Sequence, residues 1–364
     1  MTARTYLPLI SPNRGASVED HLAASDLSMN QVTFHEAYKI RPETQIKLIK
    51  ISFMRYQHPD LDVITTFLLN FGLSVVKKTD TEVWYRGYGA DQYLYYACKG
   101  PRQFLGGAFD VESFEDLEKA TKLQGVTILS DGIEEMKGAP GGGYIVTLAD
   151  PEGFPISLVY GQTLGEAKPM PEKVIMNDEV DKPRARKFQR FQNGPAAVHK
   201  LGHYGLVVRD FMKQFSFYTQ NFNLMPSNVL YMPTADSKPK EVGMFAHIER
   251  GEELVDHHTI FLTSLPPGAT EPHVHHCSFE IHDLDSQKLG HYWLAKKGYE
   301  PVWGVGRHIL GSQIFDYWWD PNHFMVEHYI DSDVVNQDTP VSFELAESAK
   351  DAAWGPDVPS AFLE

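Results

Sequence analysis

Two histidines and one glutamate, His203, His276 and Glu327, each lie in a short strand-like segment with apolar neighbours. Two imidazole nitrogens and a carboxylate oxygen on one side of a divalent metal leave its other side open to a substrate and to dioxygen. The carboxylate also lowers the charge of the centre, which suits Fe(II). A lone histidine in a strand is more often a hydrogen-bonded structural residue than a ligand. Three such residues together nevertheless predict a reactive mononuclear metal site.

The elements that carry these residues belong to an internal repeat. Residues 203–224 resemble residues 52–73 at an offset of 151 (203 − 52), and residues 279–324 resemble residues 109–154 at an offset of 170 (279 − 109). Within each copy, a strand followed by an amphipathic helix occurs twice. The smallest repeating unit is therefore one strand, one helix and several further strands.

Four such units predict an α+β fold with two domains, each built from paired βαβββ modules that form a curved, partly closed mixed sheet. Because alternate residues of a strand face the same side, ligands on neighbouring strands can converge in the cavity that the sheet encloses. The expected organisation is an N-terminal arm at 1–44, a first domain without metal ligands at 45–162, a linker at 163–197, a catalytic domain at 198–335 and a C-terminal tail at 336–364.

The first copy of the repeat lacks the three candidate ligands. With the offsets above, the positions that match His203, His276 and Glu327 are Ser52, Gly106 and Ser157, which do not form a usable ligand set. A triad that served only the fold would often be retained in both copies. Its presence in the second copy alone favours a metal site there and a structural role for the first domain.

The charge and composition of the chain argue against several function classes. The chain has 33 basic and 48 acidic residues, and its net charge of −15 opposes contact with phosphate backbones and anionic lipid. No apolar run approaches the roughly 18 residues that cross a bilayer. Two cysteines cannot build a disulfide framework, and the first residues do not resemble a signal peptide. We therefore expect a cytoplasmic protein that binds neither nucleic acid nor membrane.

Three segments of the second copy carry longer motifs: residues 203–210 (HYGLVVRD), residues 275–280 (HHCSFE) and residues 306–329, which run from a Gly-Arg-His sequence to Met-Val-Glu-His-Tyr. These motifs resemble the type I extradiol ring-cleavage dioxygenases, which are catechol 2,3-dioxygenase-like members of the vicinal oxygen chelate, or glyoxalase/bleomycin resistance, superfamily. The resemblance covers about residues 45–335. It implies that His203, His276 and Glu327 bind the metal.

The resemblance also implies roles for residues that do not bind the metal. His257 matches a histidine that acts as acid and base beside the oxygen site, His308 matches one that hydrogen-bonds a substrate oxygen, and Tyr317 matches a tyrosine near the ring hydroxyl. His258 is the rival of His257, because only one of two successive side chains in a strand can face the metal. That alternation and the resemblance favour His257.

The expected function is extradiol cleavage of a catecholic ring by dioxygen at a mononuclear non-haem Fe(II) centre. Mn(II) can replace Fe(II) in the family, and the sequence does not distinguish the two ions. One alternative is a metal-dependent isomerase, epimerase or lyase of the same superfamily, and another is a non-catalytic ligand-binding member. His257, His308 and Tyr317 argue against the first alternative. Relatives commonly assemble, so the resemblance also implies a homo-oligomer.

Other polar residues near the motifs have structural interpretations. A surface or supporting role is expected for His273 and His275, an outward-facing position for His328, and a buried apolar environment for Cys277. The tail at 336–364 is expected either to cover a pocket rim or an intersubunit surface, or to pack as a plain terminal segment.

Overall fold

The structure is a computed structural model, and it describes residues 27–233, 239–266, 268–346 and 352–363. Its five α-helices in these ranges are α1 (Gln31–Tyr38), α2 (Leu61–Phe71), α3 (Phe114–Ala120), α4 (Phe211–Asn221) and α5 (Leu284–Lys296). Short 3₁₀ helices lie at Pro42–Thr44 and Ser360–Phe362.

The strands of the first half are β1 (Ser28–Met29), β2 (Leu48–His58), β3 (Ser74–Lys78), β4 (Glu82–Arg86), β5 (Tyr95–Lys99), β6 (Gln103–Val111), β7 (Thr127–Ile128), β8 (Glu134–Glu135), β9 (Tyr144–Ala149) and β10 (Pro155–Tyr160). The strands of the second half are β11 (Val198–Val208), β12 (Leu224–Met232), β13 (Lys240–Ile248), β14 (Val255–Asp256), β15 (Ile260–Ser264), β16 (His273–Ile281), β17 (Pro301–His308), β18 (Ile314–Trp319), β19 (Met325–Ile330), β20 (Val334–Val335), β21 (Val341–Leu345) and β22 (Ala352–Trp354).

The two large sheets have the same internal order. The first runs β3-β4-β5-β2-β6-β10-β9-β7, and the second contains β12-β13-β15-β11-β16-β19-β18-β17 in the corresponding places. Each sheet is mixed, since β2 pairs in parallel with β5 and antiparallel with β6, as β11 does with β15 and β16. The predicted α+β fold of four βαβββ modules is confirmed.

The helix of each module begins immediately after a long strand, at a side-chain cap. Asp60, Ser113, Asp210 and Asp283 each accept a hydrogen bond from a backbone N–H in the first turn of the helix that follows. Such caps satisfy donors that a helix N-terminus otherwise leaves unpaired, and each contributes roughly 1 kcal/mol. The repeat therefore preserves the point at which every strand turns into its helix.

Aromatic side chains join the two sheets through one continuous apolar core. The ring centroid of Tyr204 lies 6.1 Å from that of Phe109, and Phe279 lies 5.8 Å from Phe71. All four side chains are fully buried. Burial of aromatic surface on this scale fixes the second sheet against the first, which makes the first domain a rigid support for the second.

The ends of the described chain extend the second sheet. β1 pairs with β21, which continues the sheet beyond β12, and β22 pairs with β17 at the opposite edge. Most of the predicted arm, at 1–26, lies outside the described residues. Within the part of the chain that the structure describes, no helix is long and apolar enough to cross a membrane.

Candidate metal site

The three predicted ligands come from three adjacent central strands of the second sheet. His203 lies on β11, His276 on β16 and Glu327 on β19. Ser278 of β16 is the register partner of both His203 and Glu327, and His276 lies two residues before it on the same face. All three residues are buried, with at most 4% of their surface exposed. Strand register thus brings together residues that are up to 124 positions apart (327 − 203).

The ligand atoms lie at separations that one ion would produce. His203 Nε2 is 3.1 Å from His276 Nε2 and 3.2 Å from Glu327 Oε2, and His276 Nε2 is 3.6 Å from the same oxygen. Ligands about 2.1 Å from a metal lie about 3.0 Å apart in neighbouring octahedral positions and about 3.4 Å apart in a tetrahedron. Both carboxylate oxygens of Glu327 are buried without a hydrogen-bond donor among the described residues. A buried, unpaired carboxylate is costly unless a cation compensates it, so the donor set fits a divalent metal.

A hydrogen-bonded chain determines which nitrogen of His276 is free. His275 Nε2 lies 2.9 Å from the carbonyl oxygen of Phe362, and His275 Nδ1 lies 2.6 Å from His276 Nδ1. A carbonyl only accepts, so His275 Nε2 carries a proton. Burial lowers the pKa of His275 to about 4, which leaves its Nδ1 as an acceptor for the Nδ1–H of His276. His276 Nε2 therefore keeps its lone pair, and this is the nitrogen that faces His203 and Glu327.

His308 and Tyr317 lie beside the three candidate ligands. Tyr317 is the register partner of Glu327, and its ring lies edge-on to His276 at 5.4 Å. Its hydroxyl is 2.9 Å from His308 Nε2. Burial, followed by the adjacent Glu327 carboxylate, raises the pKa of Tyr317 well above its usual value, so the hydroxyl stays protonated. Burial lowers the pKa of His308 to about 4, so its imidazole is neutral.

The positions of His257 and His258 differ from the sequence expectation. These residues lie in a bend between β14 and β15 rather than in a strand, so strict alternation does not separate them, and both are buried. The ring of His258 lies 4.1 Å from that of His203, and the Nδ1 atom of His257 lies 3.2 Å from that of His258. The geometry therefore favours His258, the rival, over His257 as the histidine next to the metal.

The first domain fills the corresponding place with Phe53 and with the guanidinium of Arg55, whose Nη1 donates to Thr147 Oγ1 and Ser157 Oγ. The bulge that precedes His203 in β11 also occurs in β2, and the strand register makes Phe53 the counterpart of His203. The true offset is 150, and the expected match with Ser52 was wrong by one residue. Gly106 and Ser157 remain the counterparts of the other two ligands. Phe53 packs against Tyr93 at 4.4 Å in a buried cluster, which leaves no metal-binding group at this point.

The structure also identifies close contacts around the site whose residues the sequence analysis did not name. The tail places the ring of Phe362 4.8 Å from that of Tyr317 and 4.9 Å from that of His275, so it covers one side of the site. Gly205 permits a close approach, because a Cβ there would lie 2.8 Å from the Phe261 ring and 3.3 Å from His276. Covering a pocket rim was one of the roles expected of the tail, but the sequence analysis did not identify Phe362 as the residue that makes the contact. The glycine two residues after the candidate ligand His203 was a weak signal for the close approach at Gly205.

Cys277 and His273 have the environments expected of them, whereas His328 faces away from the cluster as expected but is buried rather than on an outer face. His328 is fully buried away from the metal cluster, where it stacks on Phe71 and hydrogen-bonds the carbonyl of that residue. Cys277 is fully buried in the main core, and His273 is partly exposed beside the carbonyl of Glu271.

Comparisons with known proteins agree with this geometry. Residues 200–328 match the family model of the Glyoxalase/Bleomycin resistance protein/Dioxygenase superfamily. Metapyrocatechase 2 of Cupriavidus necator is 26% identical over 319 residues, which cover 84% of this chain and 88% of that protein.

Solved structures extend the similarity to nearly the whole fold. The homoprotocatechuate 2,3-dioxygenase from Arthrobacter globiformis superimposes with a TM-score of 0.69 at 18% identity, covering 89% of this chain and 93% of that one. The Mn(II)-bound glyoxalase from Novosphingobium aromaticivorans superimposes with a TM-score of 0.68 at 20% identity, covering 87% and 94%. From these matches and the matching module order, the chain has the fold of the extradiol dioxygenases, and residues 200–328 are similar to the glyoxalase/bleomycin resistance protein/dioxygenase superfamily.

Proposed function

We propose that this protein cleaves a catecholic ring beside its two hydroxyls, using dioxygen at a mononuclear non-haem metal centre. The observation that carries the proposal is the buried cluster of two imidazole nitrogens and one carboxylate oxygen within 3.6 Å of one another. The likeness to a metapyrocatechase and to a homoprotocatechuate 2,3-dioxygenase supports this reaction class.

His203, His276 and Glu327 would hold the metal through His203 Nε2, His276 Nε2 and the glutamate carboxylate. Bound there, Fe(II) or Mn(II) would be a redox-active ion able to coordinate both the vicinal oxygens of a catechol and dioxygen. Zn(II) could not take this role, because it has no redox chemistry. With two neutral imidazoles and one carboxylate as ligands, a divalent metal centre has a net charge of +1. We propose Fe(II) as the native ion, with Mn(II) as the other candidate.

Tyr317 and His308 would orient the substrate. The tyrosine stays protonated because burial and Glu327 raise its pKa, so it donates a hydrogen bond to an oxygen placed beside the carboxylate. His308 Nε2 holds the tyrosine hydroxyl from the other side. Fixing one catechol oxygen in this way turns an encounter of several partners into a reaction within one complex.

His258 would move protons during the reaction. Its Nδ1 faces His257, so its Nε2 is the nitrogen left to accept a proton from a substrate hydroxyl and to return it later in the reaction. His257 would then position His258 through the contact between their Nδ1 atoms. Residue His257 remains the alternative for the acid/base role.

Aromatic side chains would keep water away from these polar groups. Phe261 lies against His275 and His276, and Phe362 covers Tyr317. Electrostatic and hydrogen-bonding interactions are stronger in such a dry site than in water.

The direct test is oxygen uptake by anaerobically iron-loaded protein over a panel of catechols, with absorbance of the ring-opened product as a second readout. We expect one oxygen molecule to be consumed for each ring opened, with no turnover by the matched Glu327→Ala protein. Metal-dependent isomerisation or lyase activity without oxygen uptake would support the alternative enzyme class. Tight catechol binding without any product would support a binding protein, and either result would overturn the proposal.

A further inference from the structure

A buried serine and a buried histidine contact the bend that carries His258. Ser227 lies on β12 and His247 on β13, with 5% and 1% of their surface exposed. Ser227 Oγ is 2.5 Å from the carbonyl oxygen of His257 and 2.8 Å from His247 Nδ1. We call Ser227 and His247 the clamp. Neither residue belongs to the ligand set or to the groups that would contact the substrate.

The hydrogen bonds of the clamp can run in one direction only. The carbonyl of His257 accepts, so the single hydroxyl hydrogen of Ser227 is donated to it, and the serine oxygen must accept the Nδ1–H of His247. Burial lowers the pKa of His247 to about 3, so its imidazole is neutral and has one N–H, which lies on Nδ1. His247 Nε2 is buried without a donor among the described residues. The bond to Ser227 is therefore the one hydrogen bond that this side chain makes within the described part of the chain.

The clamp holds one of the two peptide planes that flank His258. The plane after His258 contains the N–H of Thr259, which donates to the carbonyl of Ala246 at 2.8 Å. The plane before His258 contains the carbonyl of His257, which accepts from Ser227. A planar peptide leaves only two backbone rotations per residue, so holding both planes sets the backbone of His258. These residues lie in a bend outside β14 and β15, where the side chain of Ser227 takes the place of a strand partner.

The backbone of the bend determines where the imidazole of His258 lies. Its ring centroid is 4.1 Å from that of His203 and 5.0 Å from that of Phe245. A group that transfers a proton must stay within hydrogen-bond reach of its partner, and a displacement of about 1 Å can lower a rate by about 10²-fold. A rotation of the peptide before His258 would move its ring away from this position.

We propose that Ser227 and His247 are positioning residues for proton transfer. They hold the carbonyl of His257, and through the main chain they keep His258 where a proton can pass between its imidazole and a substrate hydroxyl. This inference rests on the proposed function, because it needs a substrate proton for His258 to move.

The experiment compares kcat, KM and metal content of the iron-loaded wild type and variants, with a catechol that the wild type cleaves. Ser227→Ala should lower kcat about 10–100-fold, with KM and metal content nearly unchanged. His247→Leu removes the donor to Ser227 and should lower kcat in the same direction. His247→Asn keeps a side-chain N–H at the place of Nδ1 and should restore most of the activity. Circular dichroism would show that the variants remain folded.

A matched control removes a buried hydroxyl in the first domain. Ser157 is fully buried and bonded to Arg55 and Thr147, so Ser157→Ala should leave kcat unchanged. A second readout is independent of turnover. In nitrogen NMR of metal-free protein with labelled histidine, we expect His247 to be protonated at Nδ1 and to shift towards the Nε2 tautomer in Ser227→Ala.

The possible failures separate the two proposals. A wild type that cleaves no catechol would refute the proposed function and this inference with it. An active wild type would overturn the positioning role alone if Ser227→Ala kept its kcat, if His247→Asn were no more active than His247→Leu, or if His247 were protonated at Nε2. Variants that lose thermal stability but keep kcat would show that the clamp serves only the fold.

Discussion

Replacement of His275 by phenylalanine tests the hydrogen-bonded chain that runs from the tail to the metal ligand. In the structure, His275 receives the Nδ1–H of His276 and donates to the carbonyl of Phe362. Phenylalanine keeps an aromatic ring but removes both hydrogen bonds, so the Nδ1–H of His276 becomes a buried donor without a partner. The preferred tautomer of His276 then changes, and its Nε2 is less available to a metal.

The size of the effect follows from two general magnitudes. A buried donor left unpaired costs about 1–3 kcal/mol, and loss of a partner that orients a metal-bound histidine lowers metal affinity about 10–100-fold, or roughly 1.4–2.7 kcal/mol. We therefore expect the Kd of His275→Phe for Fe(II) or Co(II) to rise by that factor in an anaerobic chelator competition. The free energy of unfolding of the metal-free protein provides a separate measure of any structural damage.

The matched variant is His275→Gln. A glutamine amide has one acceptor and two donors, so it can accept from His276 and donate to the tail carbonyl as the histidine does. We expect it to recover most of the metal affinity that His275→Phe loses. If the two variants bind metal equally well, or if the phenylalanine variant stays within twofold of the wild type, the reasoning about the tautomer is refuted.

Three further predictions concern packing, proton transfer and pH. Gly205→Ala should destabilise the protein by about 1–3 kcal/mol in urea unfolding, because its Cβ would lie 2.8 Å from the Phe261 ring; an unchanged midpoint would contradict the close packing. His258→Gln should lower kcat about 10²–10⁴-fold with metal content retained, and His257→Gln should lower it less; the reverse order would restore His257 as the acid/base residue. Burial raises the pKa of Asp320 to about 7 in the folded protein, from a usual value near 3.8. The folded state then holds a proton that the unfolded state releases. This carboxyl therefore lowers the free energy of unfolding as the pH rises from about 4 to about 7, and it causes no further change above that range. Asp320→Asn should flatten this part of the stability profile, and an unchanged slope would count against the pKa shift.

Much of the fold was accessible from the sequence because it depends on local periodicity. The recurrence of a strand followed by a capped helix indicated four modules, and the module order of both sheets agrees with that prediction. The one-residue error at Ser52 arose because the match of Asn70-Phe71 with Asn221-Phe222 gave an offset of 151, whereas the helix starts at Leu61 and Phe211 and the strand register both give 150. Alternation could not choose between His257 and His258, since the segment bends where a strand was assumed, and the acid/base role of His257 stays a prediction.

The sequence by itself determined which side chains could bind a metal, because donor chemistry is a property of the individual residue, and the contrast between the two copies selected His203, His276 and Glu327. Only the tertiary structure decided what surrounds them. The contact of His275 with Phe362 joins residues 87 positions apart, and the choice between His257 and His258 depends on ring positions at a bend. Such contacts depend on strand register and on packing between distant segments, which local sequence patterns do not encode.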